Sequence, residues 1–165
     1  MSEGRVLKAY NSFYYVAAGG ITYTCKVKGR MKKERFSLCP GDLVTFASTG
    51  TEGMITAVLP RRNYMTRPTV ANLDALVLTM AVAQPEFSPL IMDKLLVLAA
   101  TFKMPVVIVL NKIDLAAPEK VAELTTTYRQ AGYQVFPVCA KNGSGLAELK
   151  EVLAGKITAF GGPSG

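Results

Sequence analysis

The stretch Val106–Asp114, VVIVLNKID, decides the fold of the second half of the chain. Its first five residues are all apolar, as expected of a strand buried on both faces of a parallel sheet. The polar tetrapeptide Asn111-Lys112-Ile113-Asp114 follows at once. Ligands of open α/β sheets bind at the carboxyl ends of the strands. We therefore predict a ligand-binding loop directly after this strand.

Apolar runs alternate with helical patterns on both sides of this stretch. Ser88-Pro89 supplies an N-cap and a proline at the first helical position, and Pro118 opens a second helix that Gly132 stops. Such strand–helix alternation predicts βαβ units and a parallel sheet. The predicted strands are 73–83, 106–110, 134–139 and 156–161, and the predicted helices are 88–103, 118–132 and 146–153.

The first part of the chain has a different pattern. Residues 21–28 alternate apolar and polar, which is typical of a strand with one buried face. Five short strands, at 5–10, 13–17, 21–28, 43–47 and 54–59, predict a small barrel, and periodicity leaves OB-like and SH3-like barrels both open. Residues 60–72 show no period and are predicted as a linker. We expect the barrel and linker at 1–68 and an α/β domain at 69–165.

The composition excludes several kinds of chemistry. The chain has no histidine, so a histidine base, a Ser-His or Cys-His nucleophile and the usual metal ligands are excluded from this segment. The three cysteines are widely spaced, which argues against a disulfide framework or a zinc site. No apolar run approaches the ~20 residues that a membrane span needs. We expect a cytoplasmic protein with no membrane partner.

The positive charge lies in the first part of the chain. Residues 1–70 hold eleven Lys and Arg against four Asp and Glu, a surplus of seven, whereas residues 71–165 hold eight of each. A basic cluster suggests contact with the RNA backbone, with Tyr14, Tyr15, Tyr23 or Phe36 available for stacking, although Tyr23 fits the core better. The alternative is a solvated hairpin. The cluster consists of Lys26, Lys28, Arg30, Lys32, Lys33 and Arg35.

A second polar loop follows the strand that ends near Val138. It reads Cys139-Ala140-Lys141, and with Asn111-Lys112-Ile113-Asp114 it resembles the guanine-specificity loops N-K-x-D and [S/C]-A-K of translation-factor-type GTPases. Taken alone, the first tetrapeptide could be a solvated turn rich in Asn and Asp. The second loop, at the end of the next strand, favours the nucleotide interpretation.

The residue types of these loops suit guanine. The Asp114 carboxylate can accept hydrogen bonds from the base N1–H and 2-amino group, which adenine does not offer. The Ala140 N–H can donate to the O6 acceptor, and Asn111 can tie the two loops together. The aliphatic stems of Lys112 and Lys141 can cover the faces of the base.

The last four residues are Gly162-Pro163-Ser164-Gly165, the first half of a phosphate loop G-x-x-x-x-G-K-[ST]. Alone they are a weak signal and fit a glycine-rich tail. After a fourth strand of the same sheet they become a credible phosphate loop. The base loops then precede the phosphate loop, which is the order of a circularly permuted GTPase, a rearrangement that closely spaced domain termini allow.

A basic barrel followed by a permuted GTPase domain resembles the ribosome small-subunit-dependent GTPases that act late in maturation of the bacterial 30S subunit. The resemblance spans nearly the whole chain. The motifs that carry it are Pro40-Gly41-Asp42, Leu59-Pro60-Arg61-Arg62-Asn63, Arg67-Pro68, Asn72-Leu73-Asp74, Pro85, Asp93, both base loops, Asn142-Gly143-Ser144-Gly145-Leu146 and the final GPSG.

The resemblance implies GTP hydrolysis with Mg²⁺ and binding to the 30S subunit and its rRNA, by a protein we expect to be a monomer. The family pattern continues with the rest of the phosphate loop, the switch segments and a zinc-binding domain, which the 165 residues do not include. We therefore expect no catalytic residue or metal ligand in this segment, and no GTPase activity from it alone. The alternative is a non-catalytic RNA-binding protein with a scaffold α/β domain, which would show no preference for guanine.

Overall fold

A computed structural model describes residues 1–27, 29 and 37–163. The chain forms two compact units, Met1–Asn72 and Leu73–Gly165. The expected boundary between residues 68 and 69 falls within a short hairpin of the first unit, described below.

The first unit is a closed five-stranded barrel. Its strands are β1 (Ser2–Tyr10), β2 (Phe13–Ala18), β3 (Ile21–Val27), β4 (Leu43–Thr49) and β5 (Glu52–Val58). They follow the order β1-β2-β3-β5-β4, β4 pairs with β1 to close the barrel, and β3 runs parallel to β5. This topology is that of an OB-like Greek-key barrel, so it resolves the choice that periodicity left open. The barrel core includes Val6, Val16, Phe46 and Ile55, all 0% exposed.

Residues 60–72, predicted as an irregular linker, contain an antiparallel hairpin. Its strands are β6 (Tyr64–Thr66) and β7 (Thr69–Ala71), with Tyr64 opposite Ala71. Each strand has only three residues, which is too short for a period of two to be visible in the sequence. The linker expectation is therefore wrong for this segment.

A buried polar network binds the segment after the barrel to the barrel itself. Asp42 is 0% exposed and accepts hydrogen bonds from Arg61 at 2.6 and 2.8 Å and from the Cys39 N–H at 2.8 Å. Asn72 is also fully buried, and its Nδ2 donates to the Gly41 carbonyl at 3.0 Å. Buried polar groups need such partners to offset their lost hydration. Polar motifs of the first unit are thus used to hold that unit together.

The second unit is a parallel sheet covered by helices. Its elements are β8 (Ala75–Ala81), α1 (Pro89–Thr101), β9 (Val106–Asn111), α2 (Pro118–Gln130), β10 (Gln134–Pro137), α3 (Leu146–Leu153) and β11 (Thr158–Gly161). The strand order is β10-β9-β8-β11, with every pair parallel. The Ser88 hydroxyl caps α1 by accepting from the Ile91 N–H, as expected. Leu149 of α3 packs on a sheet face that includes Val77 and Val109.

Candidate functional site

The two polar loops leave neighbouring strands at the same edge of the sheet. In β9 and β10, Leu110 lies opposite Pro137, and the Val138 N–H donates to the Leu110 carbonyl at 2.8 Å. One step further, the Ile113 N–H donates to the Val138 carbonyl at 3.3 Å. The sheet register therefore brings the loop at Asn111 beside the loop at Cys139.

Asn111 joins the two loops through its side chain. Its Oδ1 accepts from the Lys112 N–H at 2.8 Å and from the Ala140 N–H at 3.1 Å. The sequence predicts a tie by Asn111, and the structure contains one. The Ala140 N–H, which we expect to donate to guanine O6, donates to Asn111 Oδ1 instead. A bound guanine O6 would therefore share this N–H with Asn111 Oδ1 or replace Asn111 Oδ1 as its acceptor.

Asp114 lies on a single 3₁₀ turn, Ile113–Leu115, which begins directly after Lys112. Its side chain is exposed, and it makes no hydrogen bond or ion pair with any residue that the structure describes. Lys141, on the second loop, is exposed in the same way. The Asp114 carboxylate keeps both oxygens available to a ligand.

The loop between β8 and α1 contributes a third element that the sequence analysis did not assign to the site. The Lys112 ammonium donates to the Gln84 carbonyl, and Lys120 of α2 pairs with Glu86. Lys112 itself has φ 60°, the left-handed conformation, which turns the chain sharply after β9. Contacts between loops that are distant in sequence leave no periodic pattern in the sequence. Among the family motifs, only Pro85 lies in this segment.

The second loop is closed by its own backbone. The Cys139 N–H donates to the Ser144 carbonyl and the Gly143 N–H to the Cys139 carbonyl, both at 2.9 Å. Gly145 has φ 74°, and a Cβ there would lie 2.3 Å from the Pro137 carbonyl oxygen. Only glycine fits this exit from the loop. Cys139 is 2% exposed, so its thiol packs inward and its backbone shapes the loop.

The predicted phosphate loop begins where β11 ends. Gly161 lies opposite Leu78 of β8, and Gly162 approaches Thr79 so closely that a Cβ would lie 2.1 Å from the Thr79 carbonyl oxygen. Pro163 follows, while Ser164 and Gly165 lie outside the described residues. The start of the predicted phosphate loop thus lies at the same carboxyl edge as the loops at Asn111 and Cys139.

Of the predicted RNA-binding cluster, Lys26 lies within the described residues. It is exposed on β3, and its ammonium is 5.1 Å from the centre of the Phe13 ring. A similar pair, Lys8 over the Tyr10 ring at 5.4 Å, was missed by the sequence analysis because it lies on β1, outside the charge run. Tyr23 packs against the barrel core, as expected. Lys28, Arg30, Lys32, Lys33 and Arg35 lie outside the described residues, as does Phe36.

Two kinds of feature are absent from residues 1–27, 29 and 37–163. No helix there has the length and apolar character needed to cross a membrane. Nor do those residues place three or more His, Cys, Asp or Glu side chains together as metal ligands.

Comparison with known proteins identifies the family of the chain. Residues 58–165 match the RsgA GTPase family, and residues 3–55 match the RsgA N-terminal domain. The chain belongs to the RsgA GTPase family. It is 40% identical over 168 residues to the small ribosomal subunit biogenesis GTPase RsgA of Alkaliphilus metalliredigens, covering 100% of this chain and 58% of that protein. The corresponding RsgA of Carboxydothermus hydrogenoformans is 39% identical, with 99% and 57% covered.

Two solved structures have the same fold. YloQ, described as a circularly permuted GTPase, matches with a TM-score of 0.90 and 30% identity, covering 100% of this chain and 61% of its own. YjeQ from Thermotoga maritima matches with a TM-score of 0.89 and 34% identity, covering 99% and 61%. The predicted OB-like barrel followed by part of a circularly permuted GTPase domain is confirmed. The chain spans about 58% of the length of the RsgA relatives it matches.

Proposed function

We propose that this chain supplies guanine recognition and RNA contact to a GTPase that assists maturation of the small (30S) ribosomal subunit. The observation that carries the proposal is the pair of loops joined by Asn111, with the Asp114 carboxylate exposed beside them. In this proposal residues 69–165 bind the nucleotide and residues 1–68 bind the RNA. The names of the relatives support the same ribosomal partner.

Guanine recognition in this proposal rests on four residues. Asp114 accepts from the N1–H and 2-amino group of the base, and the Ala140 N–H donates to O6. The stem of Lys112, held at its end by the Gln84 carbonyl, covers one face of the base, and Lys141 covers the other. One such paired contact is worth about 1–3 kcal/mol of discrimination, and adenine would leave the carboxylate unpaired.

In this proposal the nucleotide phosphates bind to the loop that starts at Gly162, because the backbone of a phosphate loop presents N–H groups to anionic oxygens. We propose GTP hydrolysis with Mg²⁺ for the protein at the length of its RsgA relatives. Mg²⁺ would neutralise charge on the phosphates there. In this proposal the part of the described residues is to bind and orient the base.

RNA contact in this proposal uses the outer surface of the barrel. Lys8 and Lys26 each lie over an exposed aromatic ring, Tyr10 and Phe13. Lysines can neutralise phosphates while the rings stack on unpaired bases. The surplus of positive charge in residues 1–70 supports an electrostatic attraction to rRNA. We infer a cytoplasmic location, because the proposed partner is cytoplasmic, and we propose a monomer.

A competition assay tests the proposal. In a chain continued to the length of its RsgA relatives, unlabelled GDP should displace a fluorescent guanine nucleotide, and ADP should require a concentration higher by at least about tenfold. Equal displacement by ADP and GDP would contradict guanine recognition. RNA binding without any nucleotide binding would favour the alternative, a non-catalytic RNA-binding protein.

A further inference from the structure

A groove lies between helix α2 and the edge strand β10, within the second unit. Its cavity volume is about 490 Å³. Small-molecule sites in proteins have volumes of about 300–1,000 Å³ and are lined mainly by apolar side chains. One wall of the groove is a stripe of residues three and four apart on α2, so they share one face of the helix. The stripe consists of Pro118, Val121, Ala122, Thr125, Thr126 and Arg129.

The groove is long, mostly apolar and charged at one end. The stripe extends from the first turn of α2 to its last, about 16 Å at 1.5 Å per residue. The opposite wall includes Ile113 and Pro137, which are both apolar. Arg129, on the last turn of α2, is the one charged side chain among the described residues that line the groove. A molecule that matches this lining has an extended apolar body and one anionic group at its end.

The guanidinium of Arg129 is anchored beside the groove and can still bind an anion. Its Nη2 donates to the Val135 carbonyl at 2.8 Å. A guanidinium has five N–H donors in a planar fork, so one bond fixes its position while others can pair with a carboxylate. Arg129 is exposed, so water screens the pair and makes it weaker than a buried one. The charge therefore orients a ligand, and the apolar stripe supplies most of the contact.

The outer edge of β10 is poorly suited to a peptide strand. The Val138 N–H points toward β9, where it donates to the Leu110 carbonyl, so by alternation Val135 and Pro137 direct their backbone groups to the outer edge. There Arg129 already pairs with the Val135 carbonyl, and proline has no N–H to donate. A peptide that binds by adding a strand needs such groups. The groove therefore favours a small molecule over an extended peptide.

We propose that this groove is a binding site for a medium-chain carboxylate. The alkyl chain lies along the apolar stripe of α2, where its removal from water favours binding. The carboxylate lies at Arg129 and accepts charge-assisted hydrogen bonds from the guanidinium. The site uses none of the four residues proposed to recognise guanine, so it stands or falls independently of the proposed nucleotide function.

Calorimetric titration with sodium decanoate tests the site, and decan-1-ol is the uncharged probe of the same chain length. In the chain continued to the length of its RsgA relatives, Arg129→Gln should lower affinity for decanoate about fivefold and leave affinity for decanol within about twofold. Lys150→Gln removes an equal charge from an exposed position of α3 and is the matched control, with decanoate affinity unchanged within about twofold. Ala122→Trp, at an exposed position of the stripe, should fill the groove and lower affinity for both probes at least about tenfold.

No measurable binding of decanoate would overturn the proposal, and so would binding that Ala122→Trp leaves unchanged. Equal affinities for decanoate and decanol, or equal losses in Arg129→Gln and Lys150→Gln, would overturn the role of the carboxylate and with it the proposed ligand class. Displacement of decanoate by GDP would place the probe in the nucleotide site. Dimerisation that Ala122→Trp abolishes would assign the groove to a second copy of the chain. Either of these last two results would also overturn the proposal.

Discussion

Asp42 in the first unit and Asp114 in the second both belong to short polar motifs, yet their surroundings are opposite. Asp42 is 0% exposed, and its two carboxylate oxygens accept three hydrogen bonds, two of them from Arg61. Asp114 is exposed and has no partner among the described residues. The hydrogen bond to Asp42 also raises the pKa of the Arg61 guanidinium.

The difference separates two uses of a polar motif. A carboxylate whose acceptors are filled from within its own unit contributes to the stability of that unit and has little left for a ligand. A carboxylate presented at the carboxyl edge of a sheet without partners contributes little to stability and is available for recognition. Sequence alone makes Pro40-Gly41-Asp42 and Asn111-Lys112-Ile113-Asp114 look equally functional.

The largest expected effect is that of Asp42→Asn on stability, and Asp114→Asn is its matched comparison. Asp42→Asn should lower the free energy of unfolding of the first unit by about 3 kcal/mol, because it leaves the Arg61 cation without its buried partner. Asp114→Asn should change the free energy of unfolding by no more than about 0.5 kcal/mol. Urea unfolding of the 165-residue chain measures both. Equal effects at the two positions would remove the distinction drawn between them.

A smaller effect is expected inside the loop that follows β10. Gly145 and Gly143 both have positive φ, 74° and 85°, so alanine at either costs roughly 1–2 kcal/mol of backbone strain. At Gly145 the added Cβ also meets the Pro137 carbonyl at 2.3 Å, whereas at Gly143 it meets nothing within 4 Å. Gly145→Ala should therefore be clearly the more destabilising, and the more harmful to GDP affinity. Thermal unfolding and GDP titration of the two variants would show it; a larger effect at Gly143 would contradict the loop geometry.

The exposed lysines of the barrel extend the comparison to RNA. Lys8→Glu with Lys26→Glu should weaken binding to a single-stranded RNA and lower the slope of log K against log salt by about 1.4, as expected for two lost phosphate contacts. The matched control is Lys94→Glu with Lys150→Glu, which makes the same charge change at exposed positions of α1 and α3. A salt titration compares them. If the control pair lowers the slope as much, net charge rather than the barrel surface governs binding.

The smallest effect concerns a buried polar pair in the second unit. The Tyr128 hydroxyl donates to Asp93 at 3.1 Å, and burial, aided by that hydrogen bond, raises the pKa of Tyr128 from 10.0 to about 12. The unfolded chain releases this proton near pH 10 while the folded chain keeps it. The stabilisation that comes from this raised pKa is therefore fully present below pH 10 and is lost as the pH rises toward 12.

Tyr128→Phe should remove that part of the pH dependence and cost about 1 kcal/mol near pH 7 through the lost hydrogen bond. Denaturant unfolding at several alkaline pH values measures the difference between the two proteins. Cys39, whose pKa burial raises to about 11, titrates in both, so the difference isolates Tyr128. Parallel curves above pH 10 would show that Tyr128 is not held protonated by the fold.

The long, periodic elements of this fold could be predicted from sequence, and the contacts between loops could not. The buried strand at Val106 and the capped helix at Ser88 are local patterns, so both were placed correctly. The hairpin at Tyr64 is too short to show a period. The contact of Lys112 with Gln84 joins loops that come together only when β8 and β9 pair. The roles assigned to Asp114 and Ala140 stay predictions.

The most direct test of guanine recognition is the base preference of Asp114→Asn in a chain continued to the length of its RsgA relatives. The variant should bind GDP about 10- to 100-fold more weakly than the parent and bind xanthosine diphosphate better than the parent does. Xanthine replaces the 2-amino donor with a carbonyl, to which the asparagine amide can donate. An Asp114→Asn protein that keeps the parent's affinity for GDP and gains none for xanthosine diphosphate would contradict the account.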